Sequence, residues 1–447
     1  VAALAELRGY PGIGLVCASF GLALLIIAWW WLGRLVRGDD EFEPPTLLVT
    51  LAIWAAPVLL APPMFSRDVY SYLAQGAMVK AGLDVYHHGP SVLGGPLAAE
   101  VPAIWQHTTT PYGPAFLLLA TAVAAVTGTH VVLGVFGMRL VALLGLALLA
   151  LALPSLARRC GVSPAKALWL GVLNPLVLIH LVAGAHNDAL MVGLLAAGLA
   201  TTMARRPALG AILVTLAALV KAPAAVALVF VAPIWAAQLA GRWRGVRATL
   251  GTGLVAIGTA AVVTTAAGTG YGWVTALQTP VSKHNWSLTS ALGRATRLLL
   301  EAIGADVAPQ AMSLWRWIGL AVAMAAGLVV WLRRDQLGPI YALGLGLGAV
   351  VLFGPALRPW YLLWGLVPIA AAAPDGVLRR WAGWACAGLA VVILPSGFAP
   401  ELEQVGQVAL GAGLAVLTIV VARYRDLLVR GAQFALRAAD ASARMPQ

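Results

Sequence analysis

Residues 165–206 read AKALWLGVLNPLVLIHLVAGAHNDALMVGLLAAGLATTMARR, and the fold turns on how this stretch is parsed. It holds two apolar runs, near 165–182 and 187–204, divided by the polar turn His186–Asn187–Asp188 and closed by Arg205 and Arg206. At 1.5 Å of helix rise per residue, a run of about 18 residues covers most of a hydrocarbon core roughly 30 Å thick. The same pattern repeats in both directions. The 447-residue chain is 61% apolar and 10% charged, with a mean hydropathy of +0.88. A soluble domain carries about a quarter charged residues. A water-facing exterior is therefore excluded, and an all-α polytopic membrane protein is expected.

About thirteen spans are expected, near 11–33, 46–63, 131–156, 165–182, 187–204, 207–220, 222–240, 247–267, 313–332, 337–353, 360–374, 381–396 and 402–422. They read as one domain over 1–447, with no separate soluble part and with long inter-span segments at 64–130 and 268–312. Lys and Arg number 29 against 17 Asp and Glu, an excess that superficially suggests nucleic acid. Most of these basic residues instead lie beside spans, where they set topology. Arg158 and Arg159, Arg205 and Arg206, Arg242 with Arg244 and Arg247, Arg333 and Arg334, Arg379 and Arg380, and Arg423 with Arg425 alternate as cytoplasmic clusters. The segment 114–128 is apolar but short, and the charge pattern favours a helix dipping into or lying along the outer leaflet over an ordinary span. Cys17 and Cys386 fall in spans and Cys160 in a basic loop, a spacing without a disulfide or metal framework.

This topology collects the chemistry on one outer face. The segments are SRDVYSYLAQG (66–76), DVYHHGP (84–90), HTTTPYGP (107–114), AGAHND (183–188), Lys221, YGW with KHNWS (271–287), and PALRPWY (355–361). Residues 68–80 fit an amphipathic helix with Val69, Tyr72, Leu73 and Ala77 on one face, Gln75 and Lys80 polar, and Ser66 as its N-cap. Asp68 is then either a helix-start acid or a carboxylate able to accept a proton at the lipid–water boundary, beside Arg67 and Tyr70. Asp188 is either a helix cap paired with His186 or a group that orients an acceptor hydroxyl or a metal ion. Lys221 separates two apolar helices with no acid adjacent in sequence. It either snorkels to headgroups or, with Arg358, grips the phosphate of a bound lipid. Lys283 and Arg294 are candidate assistants. Arg67, Tyr70, Tyr72, Gln75, His88, His107, Tyr112, His186, Asn187, Asp188, His284, Asn285, Trp286, Trp360 and Tyr361 are candidates for positioning sugar or acceptor, the aromatic ones because their faces suit the C–H surface of a sugar. No HExxH spacing occurs, so a zinc hydrolase is disfavoured.

RDVYSYLAQG with DVYHHGP, the PYGP segment, NPL…HLVAGAHND at 174–188, the helix ending in Lys221 and the late RPWY together resemble the actinobacterial polyprenyl-phosphomannose-dependent alpha-1,6-mannosyltransferases. The resemblance runs over about 46–422. It implies a GT-C membrane glycosyltransferase, with loops 64–130 and 268–312 forming the active-site rim toward the periplasm or cell exterior. Asp68 would inherit the catalytic carboxylate role, and His186, Asn187 and Asp188 the second outer-face motif. The implied partners are a polyprenyl-phosphomannose donor, a lipid-anchored mannan acceptor and membrane lipids, with no nucleic acid. The implied product is the alpha-1,6 backbone of lipomannan, with the proximal-type enzyme favoured. No cofactor is required by this reading, and a divalent cation at Asp68 and Asp188 stays open. A transporter or flippase of a lipid-linked sugar, or a transferase using another lipid-phosphate sugar, are the competing readings. The clustering of polar motifs on one face, rather than at the midplane, weighs against transport.

Overall fold

The computed structural model describes residues 10–38, 42–278 and 287–443. All regular structure in these residues is helical. Five helices are long and apolar enough to cross a membrane: Pro11–Gly38, Val131–Arg159, Arg244–Ala267, Ala308–Leu332 and Leu402–Arg425. A sixth is added if Val177–Ala183 and Asp188–Met203, bent by 111°, count as one broken span. Most of the remaining expected spans coincide with apolar helices of 10–17 residues or with helices broken inside the expected range, whereas the one expected at 381–396 overlaps Val377–Ala390, which carries Arg379 and Arg380 and ends at Ala390.

By packing, the chain forms two units, one comprising Val1–Trp31 with Phe398–Gln447 and the other Leu32–Gly397. In the first, Gly411 lies against the Val16 carbonyl, and the Arg423 guanidinium sits 4.5 Å over the Trp31 ring. The second carries all the candidate chemistry. Its helices are α1 (the end of Pro11–Gly38), α2 (Pro44–Leu60), α3 (Asp68–Lys80), α4 (Pro114–Thr127), α5 (Val131–Arg159) and α6 (Pro164–Gly171). They continue with α7 (Asp188–Met203), α8 (Pro207–Val220), α9 (Leu228–Ala236), α10 (Arg244–Ala267), α11 (Leu288–Ala302), α12 (Ala311–Leu332), α13 (Pro339–Phe353) and α14 (Leu362–Ala372).

Helix α7 is the centre. It is apolar on all sides and buried along nearly its whole length, as such a helix must be. It packs on α5 and α8 through glycines, since lipid tails are as apolar as side chains and only close backbone approach holds spans together. A Cβ on Gly193 would strike the Gly145 carbonyl, and one on Gly145 would strike the Ala189–Leu190 backbone. Helices α13 and α14 cross in the same way at Gly344, Gly348 and Gly365.

The expected continuous span over 165–182 is not one helix. Helix α6 stops at Gly171 because Pro175 cannot donate a ladder hydrogen bond. The Asn174 side chain takes over locally. Its Nδ2 donates to the Leu170 carbonyl at 2.8 Å, and its Oδ1 accepts from Val177 N at 3.2 Å. A wide π turn, Val177–Ala183, follows. Arg139, buried inside α5, braces that turn by donating to the carbonyls of Leu59 at 2.7 Å and Ala183 at 3.3 Å. The segment expected at 114–128 is α4, a 14-residue helix that packs against α3. Gly76 of α3 permits that contact, since a Cβ there would meet the Ala120 carbonyl.

Candidate functional site

Two strained turns bring the acids together. Phe65 (φ 64°) precedes Ser66–Arg67–Asp68, and Ala185 (φ 52°) precedes His186–Asn187–Asp188. Non-glycine residues rarely adopt positive φ, and such strain persists where surrounding contacts over-determine it. Here the Phe65 amide donates to the Pro395 carbonyl at 2.9 Å, and its ring meets His180 edge-on at 6.1 Å. The hydroxyl of Ser66 accepts from Asp68 N at 3.1 Å, so it satisfies the first turn of α3 from one residue ahead of the helix's cap position.

Asp188 is fully buried, and its partners correct the expected pairing with His186. Its Oδ2 accepts from Lys221 Nζ at 2.7 Å, and its Oδ1 from Trp364 Nε1 at 2.6 Å. Lys221, placed in an extended break between α8 and a short 3-10 turn, thus has an acidic neighbour that sequence adjacency concealed. Burial alone would depress its ammonium. Asp188, then Tyr361, reverse that and hold its pKa above the ordinary lysine value. The ammonium also lies 4.7 Å from the Tyr361 ring, 5.4 Å from Trp364 and 5.8 Å from Tyr112. One N–H is committed to Asp188, leaving two for another anion.

Asp68 is different in kind. Its side chain is 19% exposed, and its Oδ1 accepts from Trp105 Nε1 at 3.0 Å. Its Oδ2 is 3.8 Å from His186 Nδ1, beyond hydrogen-bond range. Burial pushes the carboxyl above the ordinary aspartate value, against the opposing pull of Arg358 and then Lys221. Both cations are therefore within electrostatic reach of this acid. Burial holds the His186 imidazole well below its usual pKa, so it is neutral beside Asp68. Its Nδ1 bonds the Tyr72 hydroxyl at 3.1 Å, and its ring stacks on Trp360 at 3.9 Å.

Aromatic rings wall this group. Tyr72, Tyr112 and Phe116 meet edge-to-face with centroids 5.0–5.3 Å apart, and Tyr361 stacks on Trp364 at 4.2 Å. Asn187 is buried, and among the described residues neither its Oδ1 nor its Nδ2 has a partner. Behind the wall opens a cavity of about 700 Å³. Lys221, Tyr112, Tyr361 and Trp364 line it together with apolar residues of α9, α12 and α13, of the 3-10 turn after Lys221 and of the segments at Pro111, Ala276 and Pro355.

The other expected residues fall around this group. Arg67 is exposed, bonded to Glu100 at 3.3–3.4 Å with its guanidinium 5.3 Å from the Tyr70 ring. Gln75, expected on a polar face, is instead buried, with its Oε1 accepting from Thr110 Oγ1 at 3.1 Å. His88 is exposed, and exposed His107 bonds Ser91 Oγ at 3.0 Å; neither is a partner of the two acids. Arg294 is half-buried on α11, which packs on α12 and α13. Lys283, His284, Asn285 and Trp286 lie outside the described residues. Sequence reasoning missed Trp105 and Trp364, which hold one carboxylate each.

Among the described residues, no group of three or more His, Cys, Asp or Glu side chains is gathered to hold a metal ion. Both oxygens of Asp188 already accept from N–H donors, and one of Asp68 does too.

The Lys221–Asp188 pair yields a stability prediction. Lys221→Met leaves a buried carboxylate without its cation, a loss of about 3–5 kcal/mol. Denaturation in detergent should register it, and adding Asp188→Asn should restore much of the loss. Unchanged stability in the single variant would refute the pairing.

Comparison with known proteins shows the family. Residues 2–237 match the family described as "Alpha-(1->6)-mannopyranosyltransferase, N-terminal domain", and residues 289–424 match "MptB C-terminal domain". The chain is 42% identical to the alpha-(1->6)-mannopyranosyltransferase A of Mycobacterium tuberculosis, over 86% of this chain and 77% of that protein. A second alpha-(1->6)-mannopyranosyltransferase of that organism is 33% identical over 97% of this chain and 84% of its own length. The alpha-(1->6)-mannopyranosyltransferase A of Corynebacterium glutamicum is 33% identical over 92% and 89%. With both halves matched and each of these relatives covered over more than two thirds of its length, the chain belongs to the alpha-(1->6)-mannopyranosyltransferase family.

Proposed function

We propose that this protein transfers mannose from a polyprenyl-phosphate-mannose donor to the 6-hydroxyl of a lipid-anchored mannan, inverting the anomeric configuration. The observation that carries this reading is the cavity itself. It is lined mostly by apolar residues and, among them, by Lys221 in its aromatic cage, with Asp68 outside the lining but within electrostatic reach of that lysine. A phosphate on a long isoprenoid tail has the same two-part chemistry. The family relationship supports the sugar and the linkage; the pocket supports the lipid.

In this mechanism Lys221 offers its two remaining N–H donors to the donor phosphate, and Arg358 adds positive charge from the turn before Trp360. Arg294 and the segment holding Lys283 are assigned an assisting role. The acceptor O6 attacks C1 from the face opposite the phosphate. The C1–O bond to phosphate breaks with its electron pair, and the hydroxyl proton passes to Asp68. Polyprenyl phosphate departs, its growing charge stabilised by cations already in place. Phosphate needs no acid to leave, so a single base suffices, unlike the carboxylate pair of glycoside hydrolysis. Trp105 fixes Asp68 through Oδ1 and leaves Oδ2 for the proton. His186, held by Tyr72 and Trp360, with Asn187 beside it, positions the acceptor. The sugar faces of both substrates are assigned to Tyr70, Tyr72, Tyr112, Trp360 and Tyr361, with His88 and His107 at the rim.

The same proposal takes the protein as one transferase domain of the GT-C class, with about thirteen membrane segments in the plasma membrane. Segments 64–130 and 268–312 form its rim on the outer side, and α4 lies at the outer leaflet instead of crossing.

Asp68→Asn keeps the shape and removes the base, so transfer should fall by about 10²–10⁴-fold while the protein still accumulates in membranes. Radiolabelled donor in membrane extract measures it, and near-normal turnover would remove Asp68 from this role. Protonated Asp68 cannot accept a proton, so the rate should fall as pH drops through its raised pKa. Arg358 favours the carboxylate form, so Arg358→Gln should raise that pKa and move the acid limb of the rate profile to higher pH. A limb that stays put, or moves down, would exclude Asp68 as the titrating group.

A further inference from the structure

Two cavities meet at Val229 and Trp331. The cavity beside Lys221 follows α12 from Leu320 to Trp331, about 17 Å of helix. A second, of about 490 Å³, lies between α9 and the start of α10 and reaches Arg334 at the basic end of α12. Most of its lining is apolar, with Thr249, Thr252 and Arg334 as the polar exceptions. Val229 and Trp331 line both cavities.

The Trp331 indole is pinned at that junction for a reason visible in the covalent structure. Pro233 has no N–H, so the Val229 carbonyl, four residues earlier in α9, lacks its helical donor. Trp331 Nε1 donates to that carbonyl at 3.3 Å. From the other side, the Arg334 guanidinium lies 4.2 Å from the ring, and its Nη1 donates to the Trp331 carbonyl at 2.9 Å. A bulky, doubly held side chain thus closes one apolar space against another that continues beyond it.

Building on the lipid-phosphate donor assigned above, we propose that Trp331 is the end-stop for the donor's polyprenyl tail and so sets the isoprenoid length this enzyme prefers. The phosphate end is fixed at Lys221, so the distance from Lys221 to Trp331 measures the tail. Val229, Met324 and Leu328 are exposed, so chain beyond the stop can leave toward the surroundings but gains no further burial in this cavity unless the indole swings out of its contact with Val229. Removing the indole joins the two cavities and lengthens the ruler toward Arg334. Gly327 supplies the opposite change. It lines the first cavity on the same helix, and a Cβ there meets nothing within 4 Å, so a larger side chain would enter the space reserved for the tail.

The test uses the full-length protein in detergent or nanodiscs and polyprenyl phosphates of graded isoprene number, without the sugar, so that binding is read apart from transfer. In the wild type, affinity should rise with chain length and then level off. Trp331→Ala should move the levelling point to longer chains, with a gain of at least about tenfold for the longest ones, as expected for several newly buried methylenes. Gly327→Phe should move it to shorter chains, and Trp331→Phe, which still fills the junction, should leave it near the wild-type value. The same levelling point in Trp331→Ala and Gly327→Phe as in the wild type would overturn the end-stop while leaving the donor assignment standing. Absence of binding at every length in the wild type would overturn both.

Discussion

A carboxylate taken out of water must be paired, and the structure is organised around how Asp188 meets that demand. Its charge sits at the start of the most buried helix, where an unpaired anion would cost several kcal/mol. Lys221 and Trp364 answer from two other parts of the chain. These bonds tie α7 to the break after α8 and to the first turn of α14. They also decide where Lys221 points. Without Asp188 the lysine would be free to snorkel to the headgroups. With it, the ammonium is held inside an aromatic cage in the wall of an apolar cavity. A pairing that satisfies one buried acid therefore also places a cation where a lipid phosphate can be met.

The two acids divide the labour through environment. Asp188 is buried with both oxygens occupied, which suits a structural anion. Asp68 keeps a partly exposed side chain, with Oδ1 accepting from Trp105 and Oδ2 3.8 Å from neutral His186, which suits a group that gains and loses a proton. The strained residues Phe65 and Ala185, each just ahead of one acid, show that the backbone at both turns is held away from its easiest conformation. Some of the buried polar atoms left without partners among the described residues, on His180, His186, Asn187 and Trp360, lie in the same quarter. Such atoms are expensive in isolation and sensible at a face that receives a polyhydroxylated substrate.

Much of the fold was legible because hydropathy reads directly on helices. The apolar runs near 131–156, 187–204 and 247–267 correspond closely to α5, α7 and α10. The helix at 68–80 was readable but its amphipathic face was not, since Ser71, Ala74, Gln75 and Gly76 are buried together with Val69, Tyr72 and Leu73, while Ala77 is only partly buried. The break at Asn174–Pro175 was written in the sequence as a residue pair that interrupts helices, yet the apolar run around it masked the signal. The site was legible as a list of segments and opaque as a set of pairs. Lys221 and Asp188 are 33 residues apart, and nothing in spacing links them. Trp364 could have been found, because it lies one helical turn beyond Tyr361 and shares its face. Trp105 could not, since it reaches Asp68 from a short helix in an irregular loop. Gln75 shows the same limit, a polar residue buried because Thr110 happens to meet it.

The central claim is that a lipid phosphate sits between Lys221 and Arg358 with its tail along α12, facing Asp68. An experimental structure of the protein with a polyprenyl phosphate bound tests it most directly. Phosphate oxygens should lie within hydrogen-bond distance of Lys221 Nζ, with isoprenoid density running from Tyr361 toward Gly327. A phosphate bound elsewhere, with the cavity beside Lys221 left to bulk lipid, would contradict it.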